Sequence, residues 1–342
     1  MKAVVYDQPG RFAVRDLPDP EPGPGGVLLR VLLAGVCGTD LHLHVGEFGP
    51  TYPLIPGHEI VGEVVGLGAE VTQLRLGQRV VLDNTTSCGA CVECRRARPA
   101  FCRHLIAQGV NAPGGFAELI VAAADRCFAV DDLPIDTAVF AEPTACVVHG
   151  LDVLGLKPVA RVLLFGAGPT GLLLTQLLAN SGAGSLTVAE LVQAKLDLAA
   201  ARGADQTVLV DRSDPGAAQG RLSEIAPDGY DVVIDATGTL GVLEQAIALT
   251  RTGGTIFAYG MTAEATRWPI PSYEIFRREL TIKGSFAQQF SFDRALEALR
   301  TGRIDTTGMI TDRFSLDEYG DALASVADNG CIKAVITPNQ GQ

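Results

Sequence analysis

A short apolar run, Val162 to Phe165, passes directly into Gly166-Ala167-Gly168-Pro169-Thr170-Gly171 and then into a long apolar stretch. A strand that enters a glycine-rich turn and leaves as a helix tightly limits what this part of the chain can become. Gly166 allows the sharp turn, Gly168 lets backbone approach a pyrophosphate, and Gly171 lets helix and strand close together. Pro169 and Thr170 open the helix, whose free N–H groups and positive dipole end suit phosphate. The following segments alternate: helix 170–181, strand 185–189, helix 193–201, strand 231–235, helix 242–249 and strand 254–259. Alternating β and α units predict a parallel sheet covered on both faces, with a dinucleotide at this loop.

The acid that ends the second of these strands, Glu190, lies 24 residues after Gly166. A carboxylate there accepts hydrogen bonds from both ribose hydroxyls of NAD and repels a 2′-phosphate. Glu190 therefore points to NAD, the alternative being a solvated acid at a strand end. Lys195 reaches the same ribose or is a surface lysine on a helix.

Before about residue 140 the texture differs. Glycine and proline break the chain into short Val/Leu/Ile runs at 27–36, 60–65, 79–82 and 116–121, which predict a small irregular β-barrel. With 342 residues, two domains are expected. The tail from about Phe290 carries helices 293–301 and 316–327 and a strand 333–337, and is expected to pack back onto the first domain. The expected division is 1–143, 144–287, and a return segment 288–342 that completes the first domain.

Cys88-x2-Cys91-x2-Cys94-x7-Cys102 places four thiols within 15 residues. Four thiolates at this spacing close a tetrahedron around Zn²⁺ and leave no position open for chemistry, which makes this a structural site. A reducing compartment favours that reading over disulfides. Cys127, Cys146 and Cys331 are isolated and read as small core residues. The N-terminus is too short in apolar residues for a signal peptide, and no stretch is long enough to span a bilayer, so the chain reads as cytoplasmic. A net charge of −12 argues against nucleic acid and anionic membrane surfaces as partners.

A second set of donors is scattered: Cys37-Gly38-Thr39-Asp40-Leu41-His42, then Gly57-His58-Glu59, then Glu142-Pro143. Cysteine, histidine and carboxylate are the ligand types of a catalytic zinc that keeps one position open. Glu142 before a proline is also a natural helix start.

These elements, in this order, resemble the zinc-containing medium-chain dehydrogenases, the superfamily of alcohol, sorbitol, xylitol and threonine dehydrogenases. Further matching elements are Gly114-Gly-Phe-Ala-Glu118, Asp231-Val-Val-Ile-Asp-Ala-Thr-Gly238 and Ile282-Lys-Gly-Ser-Phe286. The resemblance covers essentially the whole chain. It implies an α/β protein: a GroES-like β-barrel catalytic domain interrupted by a Rossmann domain, with the active site between them. It implies one catalytic and one structural Zn²⁺ per chain, NAD, and a homo-oligomer, tetramer before dimer. By position, Cys37 and His58 correspond to direct zinc ligands, while Glu59 and Glu142 bind directly, alternately or through water in different relatives. Asp40 would fix the imidazole of His58, Thr39 would take the alcohol proton, and His42 would pass it to solvent.

The implied reaction interconverts a secondary alcohol or polyol and its ketone by hydride transfer to nicotinamide. Two positions depart from the sorbitol pattern: Ala287 follows Phe286 where arginine is usual, and Leu43 follows His42 where tyrosine is frequent. Both remove polar groups, which leaves a less hydroxylated alcohol, or a polyol gripped through Gln288 and Gln289, with Phe48 and Phe286 as pocket walls or core. Threonine-type or simple-alcohol dehydrogenases stay open as alternatives, as does a non-catalytic zinc-stabilised NAD-binding protein. A zinc-free reductase of the superfamily would lack Cys37, His58 and Glu142. His44, His104 and His149 have no assigned role.

Overall fold

The computed structural model describes residues 1–328 and 330–339; residues 340–342, the end of the expected return segment, lie outside the described residues. The chain divides into two compact units, and both have the architecture expected from the sequence. The first comprises Met1–Ala145, Gln289–Arg300 and the chain from Thr306; the second comprises Cys146–Gln288 with Thr301–Asp305.

The first unit is built on the strand Gly26–Val36, whose residues alternate between buried and half-buried along most of its length. That two-residue period is what a pleated strand with one face on the core requires. Its mixed sheet runs Ile310–Phe314, Lys333–Ile336, Gly26–Val36, Glu59–Leu67, Arg79–Leu82, Cys127–Ala129, and Leu119–Ala123 also pairs with Gly26–Val36. Two registers matter for function. Gly35 stands opposite Glu59 on one side and opposite Val335 on the other. Residues from the start and the far end of the chain thus meet at one end of this sheet. Its core gathers Val27, Leu29, Val31, Ile60, Val64 and Phe116 with Tyr319 and Ile336 from the return segment.

The second unit is a six-stranded, wholly parallel sheet in the order Gln206–Leu209, Ser185–Glu190, Arg161–Phe165, Tyr230–Asp235, Thr250–Ala258, Thr281–Gly284. Strands buried on both faces need continuous apolar runs, and Val162, Leu163, Leu164 and Phe165 are all buried. The strand order reverses beside Arg161–Phe165, the point at which open parallel sheets leave a crevice at their carboxyl ends. No described helix is long and apolar enough to cross a membrane.

Some elements differ from the sequence reading. The expected strand at 116–121 is Leu119–Ala123. Phe116 instead hydrogen-bonds across to Pro56 and Val4, outside the ladder of that strand. The hairpin Lys2–Gln8 with Arg11–Asp16 and the helix Pro215–Ile225 were not anticipated.

Candidate active site and metal centres

Strand Gly26–Val36 ends at Cys37, which caps the seven-residue helix Gly38–His44. The Cys37 N–H donates to Oδ2 of Asp40 at 2.8 Å, a side-chain bond that satisfies one end of the turn. The turn holds the Cys37 thiol half-buried, 3.7 Å from the Thr39 hydroxyl. His58 and Glu59 arrive at the start of the neighbouring strand and are both buried. The donor atoms of Cys37, His58 and Glu59 all lie within 4.8 Å of one another. Glu142 is buried in the first turn of helix Ala141–Leu154, as its place before Pro143 suggested, but it stands outside that cluster.

The electrostatics of the cluster favour a cation. Burial pulls the His58 imidazole down, but Asp40, Cys37 and Glu142 outweigh it and push it up to about 10. A surround that holds a proton so firmly would hold a divalent metal in its place, since a ligating imidazole must be neutral. Burial also raises Asp40, which is fully enclosed. Asp40 Oδ1 lies 3.9 Å from His58 Nδ1, and among the described residues neither atom has a hydrogen-bond partner. The separation is longer than the expected hydrogen bond, and the other oxygen of Asp40 accepts from the Cys37 N–H. Cysteine, histidine and carboxylate donors with orphaned polar atoms fit a zinc centre.

Two residues that the sequence reading missed complete the surroundings. Lys333, the first residue of strand Lys333–Ile336, forms an ion pair with Glu59, and both are buried. Glu47 Oε2 lies 2.6 Å from Nδ1 of His42. A lysine at a strand start and a glutamate in a loop carry no sequence signal. Of the remaining histidines, His44 Nδ1 meets the Tyr6 hydroxyl at 2.8 Å, and His104 is exposed beside the four-cysteine loop. Leu43 is core, packed with Ala107, Val110 and Phe48.

In the four-cysteine loop the sulfurs of Cys91 and Cys94 are 3.5 Å apart, those of Cys91 and Cys102 3.9 Å, and those of Cys88 and Cys94 4.0 Å. A ZnS₄ tetrahedron with bonds of about 2.3 Å has edges of about 3.8 Å, so the spacing fits zinc. Backbone N–H groups of Cys88 and His104 donate to the Cys102 sulfur at 3.3 Å, and that of Cys91 to Cys88 at 3.4 Å. The amides of Cys94 and Arg103 lower Cys91 to about 6, toward the thiolate a metal needs.

At the glycine loop of the second unit, Gly166 has φ +98°, and a Cβ on Gly171 would lie 2.0 Å from its carbonyl oxygen. Gly168 caps helix Pro169–Asn180, and a Cβ there would meet open space, the cradle a pyrophosphate requires. Glu190 Oε2 accepts from the Ala167 N–H at 2.7 Å, and Oε1 from Leu191 at 2.6 Å and Val192 at 3.3 Å. Lys195 is largely buried on helix Gln193–Ala201.

Two family models match the chain: the alcohol dehydrogenase GroES-like domain over residues 23–132 and the zinc-binding dehydrogenase over 169–301. D-arabinitol dehydrogenase 1 of Uromyces fabae is 40% identical over 99% of this chain and 97% of that protein. D-altritol 5-dehydrogenase of Agrobacterium fabrum is 35% identical over 93% of this chain and 94% of that protein. A zinc-binding dehydrogenase of Sinorhizobium meliloti, solved with NADP, superposes with a TM-score of 0.91 at 35% identity, covering 98% of this chain and 99% of that one. Identity sustained from end to end, on a chain whose own donors cluster in two zinc-compatible sets, means that it belongs to the zinc-containing medium-chain dehydrogenase family.

Proposed function

We propose that the chain interconverts a secondary alcohol or a polyol and the corresponding ketone, with NAD as hydride acceptor. The observation that carries this reading is the convergence of Cys37, His58 and Glu59, with Thr39 on the turn beside them. When bound there, zinc supplies Lewis acidity toward an alcohol oxygen and lowers the pKa of its proton. Cys37 and His58 hold the metal directly, with Glu59 or Glu142 as the carboxylate ligand or its water-mediated substitute. Asp40 keeps the His58 ring oriented. The Thr39 hydroxyl receives the alcohol proton, and His42 hands it to solvent. Glu47, bonded to Nδ1 of His42, leaves the other ring nitrogen for that proton. The four-cysteine loop takes the second zinc and braces the fold.

The Gly166–Gly171 loop and the helix that Pro169 and Thr170 open bind the pyrophosphate, and Glu190 and Lys195 bind the adenosine ribose. The Sinorhizobium meliloti relative was solved with NADP. The fixed negative charge of Glu190 supports NAD for this chain, because a 2′-phosphate beside it would be repelled. D-arabinitol and D-altritol dehydrogenases among the relatives support a polyol.

A homo-oligomer, tetramer before dimer, acting in the cytoplasm completes the reading. The open edge strand Thr281–Gly284 supports association. Metal analysis together with NAD-linked oxidation of polyols, amino alcohols and simple secondary alcohols tests the whole. The expected result is two zinc per chain, one for each donor cluster, and turnover on a polyol or secondary alcohol. One zinc per chain and no NAD-linked turnover would overturn it.

A further inference from the structure

We propose that the second unit binds a small apolar α-amino acid at the amino-terminal edge of its parallel sheet, the edge opposite the Gly166 loop. Four neighbouring strands begin there. Ser185 opens one, Arg161 stands beside it in register on the next, and Asp231 and Arg251 lie near the starts of the following two. With Val159 and Asp228 they line a cleft of about 410 Å³. Both oxygens of Asp231 are engaged: Oδ1 pairs with the Arg251 guanidinium at 2.5 Å, and Oδ2 accepts from the Arg161 N–H at 2.8 Å. Among the described residues the guanidinium of half-buried Arg161 has no hydrogen-bond or ion-pair partner. The Ser185 hydroxyl and the Asp228 carboxylate have none either.

These unpaired groups set the chemistry of the ligand. A guanidinium with a hydroxyl on the adjoining strand is a donor set for a carboxylate. Asp228 is the complement, an acceptor for an ammonium. The charges of the lining cancel, two arginines against two aspartates. A plain anion would gain from Arg161 but face Asp228 and a chain of net charge −12, whereas a zwitterion meets both groups favourably. Val159 adds apolar surface at the edge of the cleft. It is 79% exposed and has φ +65°, a conformation that a β-branched residue rarely adopts. The backbone holds it there: its N–H donates to the Gly182 carbonyl at 2.7 Å, and a Cβ on Gly184 would lie 2.4 Å from its own carbonyl oxygen. Strain of this kind, fixed by its surroundings, is typical of ligand clamps. An amino acid held by its carboxylate and its ammonium lays its side chain on the Val159 isopropyl group.

The test is isothermal titration calorimetry of the full-length protein, loaded with zinc and NAD, against L-valine, isovalerate and isobutylamine. All three carry the same isopropyl group; isovalerate lacks the ammonium and isobutylamine lacks the carboxylate. Valine has no hydroxyl to oxidise, so it is not a substrate of the proposed reaction. L-Valine should bind saturably, and each analogue should bind about tenfold more weakly or worse, the worth of one hydrogen bond between charged groups. Arg161→Gln and Asp228→Asn should each weaken valine binding by a similar factor, and Asp228→Asn should take valine and isovalerate alike. Both variants should turn over alcohol as wild type does, since they alter the edge of the sheet opposite the glycine loop. Asp228 is exposed, so its variant carries the comparison if Arg161→Gln does not fold. Absence of saturable valine binding would overturn the proposal, as would wild-type protein that binds isovalerate as tightly as valine. Valine that binds both variants undiminished sits elsewhere, an open metal position included, and overturns it equally. Calorimetry reads binding without turnover, so failure here is distinct from failure of the proposed reaction.

Discussion

Cys37 serves the fold and, in the proposed function, the chemistry, and a single substitution separates the two roles. Its backbone begins the helix Gly38–His44 through the bond to Asp40, while its thiol joins the donor cluster. Serine is a good residue at a helix start but a poor ligand for zinc. Cys37→Ser should therefore keep the fold and dinucleotide binding, reduce zinc from two to one per chain, and abolish turnover; a variant with wild-type activity would remove Cys37 from the site. Glu190 is similarly testable, because three backbone N–H bonds hold its carboxylate against the Gly166 loop. Glu190→Ala should raise KM for NAD by about 10- to 100-fold, the worth of a hydrogen bond to a charged group. It should also narrow the preference for NAD over NADP, which steady-state kinetics with both dinucleotides would measure. These residues stand out as candidates in the sequence because chemistry restricts which side chains can bind metal or ribose. Lys333 and Glu47 do not, because their roles come from where the chain folds, and lysine and glutamate are common everywhere.

Secondary-structure elements were readable where periodicity was strong and turns were marked. Strand Arg161–Phe165 and helix Gln193–Ala201 fall where the sequence put them. Helix Pro215–Ile225 escaped because Gly216 and Gly220 dilute its pattern, and its start rests on the Asp214 carboxylate accepting from the Ala217 N–H at 3.1 Å. The hairpin Lys2–Gln8 with Arg11–Asp16 escaped because its second strand is short and mostly exposed, with only Phe12 and Val14 turned to the core. The junction of the glycine loop with helix Pro169–Asn180 gives the prediction at this scale. A methyl group on Gly171 would strike the Gly166 carbonyl, which is backbone and cannot swing aside. Gly171→Ala should cost about 1–3 kcal/mol by overpacking and weaken dinucleotide binding, because the helix start must retreat from the turn. Denaturant unfolding and a dinucleotide titration on the same sample check both effects; unchanged stability would show that the loop can yield.

For the whole molecule the decisive question is what covers the exposed edge of the parallel sheet. Among the described residues, strand Thr281–Gly284 has hydrogen-bonded neighbours on one side only, and Ile282 on it is exposed. In the adjoining helix Ser272–Arg278 no residue is buried, and Tyr273 and Phe276 are 67% and 78% exposed. An apolar edge of this kind is a template for pairing with another copy. The net charge of −12 opposes association, but that repulsion is screened beyond about 8–10 Å at ordinary ionic strength. Apolar burial at the edge acts at contact and escapes the screening. Association through this surface should therefore persist or tighten as salt is raised, and should fail when a charge is placed within it. Phe276→Glu is expected to lower the molar mass found by sedimentation or light scattering to that of a smaller assembly. It should leave zinc content and dinucleotide affinity near wild type, since neither donor cluster nor the glycine loop includes the helix. A Phe276→Glu protein of unchanged mass would mean that copies meet elsewhere, and dissociation of wild type by salt alone would mean that charge, not apolar contact, joins them.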